Sequence, residues 1–234
     1  MPSTEEALGS RRPERRHTGA VAIFDLDRTL LRGSSLVDLG RALVDRRVVG
    51  RALLARHAVG AAVFAGRGLG ASAVDRVRER LLAAAAGRPW EDLHSVVRDV
   101  APEIARRVYP GARWLLERHR DAGDFCVVLS ASPQELVEAV AAELGAHRGV
   151  GTRAEVADGR LTGRLDGPFC HGAGKLERLC ADVGPVDLLR ASAYGDSASD
   201  LPLLAACGWP VAVNPDRELL AAARASGWPV LRLQ

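Results

Sequence analysis

The stretch Val21-Ala22-Ile23-Phe24-Asp25-Leu26-Asp27-Arg28-Thr29-Leu30 carries the strongest signal in this sequence. Its apolar first half predicts a buried strand, which stops at two aspartates separated by one residue. Because the chain turns just beyond the end of a strand, both carboxylates can face one crevice. Two carboxylates held so close repel each other and are costly to bury. We therefore expect a hard divalent cation to bind their oxygens.

Further polar side chains follow predicted strands or tight turns later in the chain. They are Ser130, Lys175, Asp196 and Asp200. Strand and helix patterns alternate through this part of the sequence, which predicts an α/β fold with a Rossmann-like, doubly wound and mostly parallel sheet. In such a sheet the carboxyl ends of the strands share one edge, where ligands bind. The scattered motifs therefore predict one site that holds four carboxylates, a hydroxyl and an ammonium.

The composition is that of an ordinary globular protein, with 234 residues, 47% hydrophobic and 26% charged. Much of the net charge of +3 comes from arginines in residues 11–16. With 4% aromatic residues and no nucleic-acid motif, the sequence predicts no nucleic-acid partner. It shows no apolar run of about 20 residues and no export signal, so we expect no membrane span. Four cysteines without paired spacing indicate a cytoplasmic location. The oligomeric state stays open.

Composition also suggests how the chain is divided. Residues 1–18 are polar and rich in arginine, and we expect a disordered basic tail. Residues 34–107 lack strand patterns and show apolar stripes at helical spacing, such as Leu93, Val96, Val100 and Ile104. We predict that they form an all-helical cap. Residues 19–33 and 108–234 would then form the catalytic core.

The order Asp-x-Asp, Ser, Lys, Asp-x-x-x-Asp resembles the haloacid dehalogenase (HAD) superfamily of aspartate-nucleophile phosphohydrolases. The chain is most similar to its phosphoserine-phosphatase-like branch, subfamily IB, in which a C1-type helical cap lies between the first two motifs. The resemblance implies that Asp25 is the nucleophile and that Asp27 is the general acid and base. It also implies that Asp25, Asp196 and the backbone carbonyl of Asp27 bind Mg²⁺.

The remaining motif residues have supporting roles in this scheme. Lys175 and the Ser130 hydroxyl would bind the phosphoryl oxygens, together with backbone N–H groups near Ala131. Asp200 would either hold a metal-bound water or pair with Lys175. We expect the Thr29 hydroxyl to bond local backbone and hold the aspartate turn.

A helix start next to Ser130 supports the phosphate site. Ser132 is predicted to cap this helix, with Pro133 at its first position and Glu135 completing a capping box. A helix N-terminus offers free N–H groups and positive dipole to a phosphate.

Three positions depart from the pattern of phosphoserine phosphatases. Ser34 stands where those enzymes carry a glutamate that binds the amino group of the substrate, so we expect phosphoserine to be a poor substrate. Ser199 replaces a usual asparagine, which changes an outer hydrogen bond of the metal site. Arg28 replaces a small residue, and its side chain would point to solvent or reach anionic groups of the substrate.

The sequence therefore predicts a magnesium-dependent phosphatase that hydrolyses a small phosphorylated metabolite through an aspartyl-phosphate. Two alternatives stay open. A phosphotransferase or phosphomutase would use the same aspartate and pass the phosphoryl group to another alcohol. A non-catalytic phosphate-binding module fits less well, because both aspartates of the first motif are present.

Overall fold

The computed structural model describes residues 20–48 and 71–233. The predicted basic tail, residues 1–18, lies outside the described residues. Among the helices described, none combines the length and the apolar character needed to cross a bilayer.

The described residues contain eight strands. They are β1 (Val21–Asp25), β2 (Phe125–Pro133), β3 (Arg148–Thr152), β4 (Ala154–Ala157), β5 (Arg160–Leu165), β6 (Ser192–Gly195), β7 (Trp209–Val213) and β8 (Val230–Leu231). Six of them form one sheet in the order β3-β2-β1-β6-β7-β8, and every pairing in it is parallel. This arrangement confirms the predicted doubly wound α/β sheet. Strand β1 lies at its centre, beside β2 and β6.

The same residues contain eight α-helices and two short 3₁₀ segments. The helices are α1 (Ser35–Asp45), α2 (Ala71–Ala85), α3 (Trp90–Arg106), α4 (Pro110–Asp121), α5 (Gln134–Glu143), α6 (Gly174–Val183), α7 (Leu201–Ala206) and α8 (Arg217–Ser226). The 3₁₀ segments are Leu188–Arg190 and Ala198–Asp200.

Alternation along the central strands divides the core into two layers. Ala22 and Phe24 face one layer, which includes buried residues of α3, α4 and α5. Val21 and Ile23 face the other layer, which includes buried residues of α6, α7 and α8. Successive side chains of a strand point to opposite faces, so an apolar run such as β1 is stable only between two layers of helices. The two helical layers hold the sheet in place and so fix the position of the edge at which β1 and β6 end.

Helices α1, α2 and α3 lie between β1 and β2 in the chain, and we call residues 34–107 the insert. The two connections between insert and core run side by side, with Leu31 and Val108 in an antiparallel bridge. The Tyr109 N–H donates to the Leu30 carbonyl at 2.9 Å. The apolar stripe predicted on α3 is buried, with Val96, Val100 and Ile104 among its members.

A two-stranded hairpin extends from the core to the insert. Strands β4 and β5 are antiparallel around Asp158 and Gly159, which both have positive φ (49° and 72°). The hairpin bonds to the loop before α3, since the Gly87 N–H donates to Leu161 O at 2.7 Å and the Trp90 N–H donates to Gly159 O at 2.9 Å. The Leu161 N–H donates to Arg88 O at 2.9 Å.

Strand β3 and helix α5 approach so closely that no side chain fits between them. A Cβ at Gly149 would lie 2.5 Å from the Val137 carbonyl oxygen and 2.6 Å from Glu138 Cα. A Cβ at Gly151 would lie 2.7 Å from the Ser132 carbonyl oxygen. Both obstacles are backbone atoms, so a larger residue could fit only if the helix moved.

We expect Gly149→Ala to lower the free energy of unfolding by about 1–3 kcal/mol, because the added methyl group overpacks a backbone contact. Urea denaturation followed by far-UV circular dichroism measures this change. Gly111→Ala is the matched control, because its added Cβ meets only the flexible end of Leu233, at 2.9 Å. The control should be near neutral, since alanine also favours the helix in which Gly111 lies. Equal stability of the two variants would contradict the prediction.

Candidate active site

The two aspartates of the first motif lie at the end of the central strand. Asp25 is the last residue of β1 and is buried. The chain then turns tightly, with the N–H groups of Leu30 and Leu31 both donating to the Leu26 carbonyl, at 3.0 and 2.8 Å. This turn brings Asp27 against the start of α1, where the Ser35 N–H donates to Asp27 Oδ1 at 2.6 Å. The helix N-terminus thereby fixes the orientation of the Asp27 carboxylate.

Lys175 lies between two of the predicted carboxylates. Its side chain is 2% exposed, and its Nζ donates to Asp25 Oδ1 at 2.6 Å and to Asp200 Oδ1 at 2.5 Å. The lysine belongs to the first turn of α6, which begins at Gly174. A Cβ at Gly174 would lie 2.0 Å from the Phe169 carbonyl oxygen, so the loop can reach this position only with glycine there. Of the two roles that the sequence left open for Asp200, the contact with Lys175 is the one present.

The sequence contains a further signal for this lysine. Lys175 is the only lysine in the chain, and every other residue that is cationic irrespective of histidine protonation is an arginine side chain. An ammonium is a compact point charge that fits between two buried carboxylates more readily than a planar guanidinium.

The second acidic motif follows β6 directly. Asp200 Oδ2 accepts the N–H groups of Asp196 and Ser197, each at 3.1 Å. A Cβ at Gly195 would lie 2.6 Å from the Asp200 Cβ, so the strand end and the aspartate touch without space for a side chain. Asp200 therefore has protein partners on both oxygens, whereas Asp196 is held through its backbone and through one carboxylate oxygen, which pairs with Arg28. The backbone carbonyl of Asp196 accepts the Asp216 N–H at 2.8 Å.

Three carboxylates are close enough together to share one cation. Ligand oxygens of Asp25, Asp196 and Asp200 lie within 4.8 Å of one another. Burial raises the pKa of Asp25 to about 7, although Lys175 opposes this rise. Burial and the neighbouring carboxylates raise the pKa of Asp196 to about 9, although Arg28 and Lys175 oppose this rise. The raised pKa values show that the carboxylate forms of Asp25 and Asp196 lack sufficient positive charge nearby. Closely spaced carboxylate oxygens are ligands that fit a Mg²⁺ ion.

Asp27 differs from the three clustered carboxylates in its exposure. Although the residue as a whole is partly exposed, burial of its carboxyl group raises the pKa of Asp27, and the hydrogen bond from Ser35 opposes this rise. A carboxyl group with a raised pKa is suited to donate a proton near neutral pH.

The predicted phosphate-binding residues lie on the neighbouring strand. Leu129 pairs with Asp25 in the sheet, so Ser130 comes next to the end of β1. Ser130 is buried, and its Oγ accepts the Ser132 N–H at 3.2 Å. The Ala131 carbonyl accepts a hydrogen bond from the Thr152 hydroxyl at 2.8 Å. The end of β2, which carries Ser130 and Ala131, is therefore held by bonds on both sides.

The predicted capping box at the start of α5 is wrong. The helix begins at Gln134, and no side chain caps it. The Ser132 hydroxyl instead bonds the Ser35 hydroxyl at 2.7 Å, and Glu135 accepts from the Trp90 indole N–H at 2.8 Å. Both partners belong to the insert. Side chains that match a local capping pattern are used here for long-range contacts between core and insert.

Thr29 and Ser199 differ in their contacts. Thr29 is buried, and among residues 20–48 and 71–233 its hydroxyl has no hydrogen-bond partner, so the expected bond to local backbone is not formed. The Ser199 hydroxyl lies 2.9 Å from that of Ser197, within the loop that carries Asp196 and Asp200.

A pocket of about 280 Å³ opens beside Asp27, between the core and α1. Residues from both parts line it, namely Asp27, Arg28, Gly33, Ser34, Val37, Asp38, Arg41 and Arg107. Two of its arginines are in ion pairs. Arg28 Nε lies 2.8 Å from Asp196 Oδ2, and an Arg107 guanidinium nitrogen lies 2.6 Å from Asp38 Oδ1.

Comparison with known proteins shows the family to which the chain belongs. A family model described as haloacid dehalogenase-like hydrolase matches residues 22–205, which is more than half of the chain. The chain belongs to this family. It is therefore a hydrolase of the HAD superfamily, as the motif order predicted.

Relatives and a solved structure extend the comparison. The chain is 36% identical to phosphoserine phosphatase SerB1 of Mycobacterium tuberculosis, over 98% of this chain and 76% of the relative. It is 33% identical to a histidinol-phosphatase of Neisseria meningitidis, over 92% of this chain and 99% of the relative. A crystal structure of a Bordetella pertussis protein of unknown function matches with a TM-score of 0.77 and 29% identity, covering 92% of this chain and 98% of that one.

Loss of the buried lysine should destabilise the fold in a pH-dependent way. Lys175→Met leaves Asp25 and Asp200 without their shared cation, and breaking a buried pair costs about 3–5 kcal/mol. Carboxylates left unpaired have raised pKa values in the folded state. Stability is therefore retained below the ordinary carboxyl pKa and is lost as pH rises from that pKa towards the raised one. The deficit relative to wild type should therefore grow from about pH 4 towards pH 7 in metal-free buffer.

Chemical denaturation at several pH values, with chelator present, measures this deficit. Arg178→Met is the control, because Arg178 is also a buried cation, paired with Asp182 at 2.7 Å. Asp182 keeps a second partner, Arg153, at 2.8 Å, so the control should lack this growth of the deficit with pH. A deficit of Lys175→Met that did not change with pH would contradict the charge argument.

Proposed function

We propose that this chain is a magnesium-dependent phosphatase that hydrolyses a small phosphomonoester through an aspartyl-phosphate on Asp25. One observation carries the proposal. The Lys175 ammonium is shared by Asp25 and Asp200 at the end of the central strand, within the cluster of three buried carboxylates. A phosphoryl group carries negative charge on its oxygens, so an anionic nucleophile can approach it only where positive charge is concentrated.

Asp25 attacks the phosphorus atom in the first step. A bond forms between an Asp25 carboxylate oxygen and phosphorus, and the ester bond from phosphorus to the leaving oxygen breaks. Lys175 restricts the carboxylate to one orientation by binding Oδ1 at 2.6 Å, which lowers the entropic cost of reaching the reactive geometry. In the second step a water attacks phosphorus, inorganic phosphate leaves, and the Asp25 carboxylate is regenerated.

Asp27 moves the proton in both steps. In the first step it gives its proton to the leaving alcohol, and in the second it takes a proton from the attacking water. The Ser35 N–H bond holds one oxygen of Asp27, and the pocket beside Asp27 provides space for the leaving group. A raised pKa allows Asp27 to be protonated when it acts as the acid.

The remaining residues bind the transferred group and the ion. Lys175, the Ser130 hydroxyl and backbone N–H groups near Ala131 bind phosphoryl oxygens. Asp25, Asp196 and the backbone carbonyl of Asp27 would hold Mg²⁺, and Asp200 orients Lys175. When bound, the ion supplies positive charge that offsets the buried carboxylates and the phosphate.

The pocket volume and the relatives together favour a small substrate. A space of about 280 Å³ suits a leaving group of metabolite size. The two relatives are named for different phosphorylated compounds, phosphoserine and histidinol phosphate, so likeness alone does not select one. Ser34 lines the pocket without supplying a carboxylate, and the Asp38 carboxylate one helical turn further on is paired with Arg107. We keep the expectation that phosphoserine is a poor substrate.

The purified protein should release inorganic phosphate from one or more members of a panel of phosphorylated metabolites when Mg²⁺ is present. Excess chelator should stop turnover, and Mg²⁺ should restore it. Asp25→Asn should fold normally and lose turnover by more than about 10³-fold, because an amide is a poor nucleophile. Full activity of that variant, or of wild type in chelator, would refute the proposal. Recovery of phosphate mainly on an added alcohol would instead identify a phosphotransferase.

Asp27→Asn should separate the two chemical steps. With an activated ester, whose leaving group needs little protonation, the variant should still form the aspartyl-phosphate and then hydrolyse it slowly. With an ordinary alkyl ester it should lose about 10²–10⁴-fold in rate, which is the usual contribution of general acid–base catalysis. Rapid-quench measurement of the burst tests this difference. Equal losses with both esters and no trapped intermediate would show that Asp27 has another role.

A further inference from the structure

Arg28 places a positive charge on one of the carboxylates proposed to hold the ion. Its Nε lies 2.8 Å from Asp196 Oδ2, and the exposed fractions of the two side chains are 38% and 5%. The arginine therefore extends from the surface into the acidic cluster. Asp196 is the member of that cluster that Lys175 does not bind.

The backbone conformation at Arg28 fixes the direction in which its side chain points. Its φ is 64°, in the left-handed region that non-glycine residues rarely adopt. Two hydrogen bonds maintain this conformation. The Arg28 N–H donates to Leu31 O at 2.8 Å, and the Asn214 side-chain amide donates to Arg28 O at 3.3 Å. The turn after the first aspartate motif thus presents the guanidinium to Asp196.

The two cations of the cluster differ in their freedom to move. Lys175 is buried and is held by carboxylates on two sides, so it cannot leave without exposing unpaired charge. Arg28 is more than a third exposed and also lines the pocket beside Asp27. The pocket gives its side chain a solvated place to occupy when Asp196 takes another partner.

We propose that Arg28 is an internal competitor of the divalent ion, which neutralises Asp196 in the metal-free protein and releases it when the ion binds. The inference rests on the proposed function only in that it uses the proposed ion site. Two cations held on one buried carboxylate would repel each other, so Arg28 must leave or weaken its contact. Its presence lowers the apparent affinity for the ion.

Arg28→Gln and Arg28→Gly test this inference through binding rather than turnover. The first variant keeps part of the side-chain length without the charge, and the second suits the positive φ of this position. Isothermal titration should show that both bind Mg²⁺ more tightly than wild type, by about threefold to tenfold. This range is modest because an ion pair with one exposed partner contributes little.

Arg41→Gln is the matched control, because Arg41 lines the same pocket from α1 and the change in net charge is the same. The Arg41→Gln variant should bind Mg²⁺ within about twofold of the wild-type affinity, because Arg41 is exposed and salt screens the charge of an exposed side chain. Equal or weaker Mg²⁺ binding by the Arg28 variants overturns the inference, and so does an equal gain in Arg41→Gln. Absence of Mg²⁺ binding in every protein also overturns it.

Phosphatase assays on the same preparations separate the two proposals. Tighter binding by the Arg28 variants, without turnover in any protein, overturns the proposed function and supports the competitor role. Normal turnover with unchanged affinity in the Arg28 variants overturns only the competitor role.

Discussion

The ion pairs of Lys175 are the interaction on which the rest of the site depends. Asp25, Asp196 and Asp200 meet at the edge of a sheet that is covered on both faces, so their charges cannot be neutralised by solvent. One ammonium, bonded to Asp25 and Asp200, offsets part of that negative charge. The glycines at 174 and 195 let the backbone come close enough for these contacts. The proposed catalytic residues and the residues that constrain folding are thus the same group of side chains.

Much of the fold could be predicted because it follows from local patterns. The runs before Asp25 and before Ser130 both place apolar residues on the two faces of the sheet. This pattern requires helices on each side of the sheet. Once the strands were parallel, their carboxyl ends had to share an edge. That rule predicted the proximity of Asp25, Lys175, Asp196 and Asp200 from positions far apart in the chain.

Contacts that depend on the tertiary fold, such as those where core and insert meet, could not be predicted in this way. Ser132 and Glu135 match a capping box in sequence, yet their side chains bond Ser35 and Trp90 across the boundary. The contact between Arg28 and Asp196 depends on a left-handed turn, which no pattern around a non-glycine residue indicates. In each case tertiary contact overrides a local preference, because a polar side chain bonds whichever partner lies nearest after folding.

The hairpin of β4 and β5 limits how far the insert can move as one body. It bonds the loop at residues 87–90, far along the chain from the paired connections at Leu31 and Val108. A swing of the whole insert about those connections would break three backbone hydrogen bonds and the contact between Trp90 and Glu135. Helix α1 has no such bond to the hairpin among the residues described. The hairpin therefore holds the α3 side of the insert against the core, whereas the start of α1 is held by different bonds, from Ser35 to Asp27 and to Ser132.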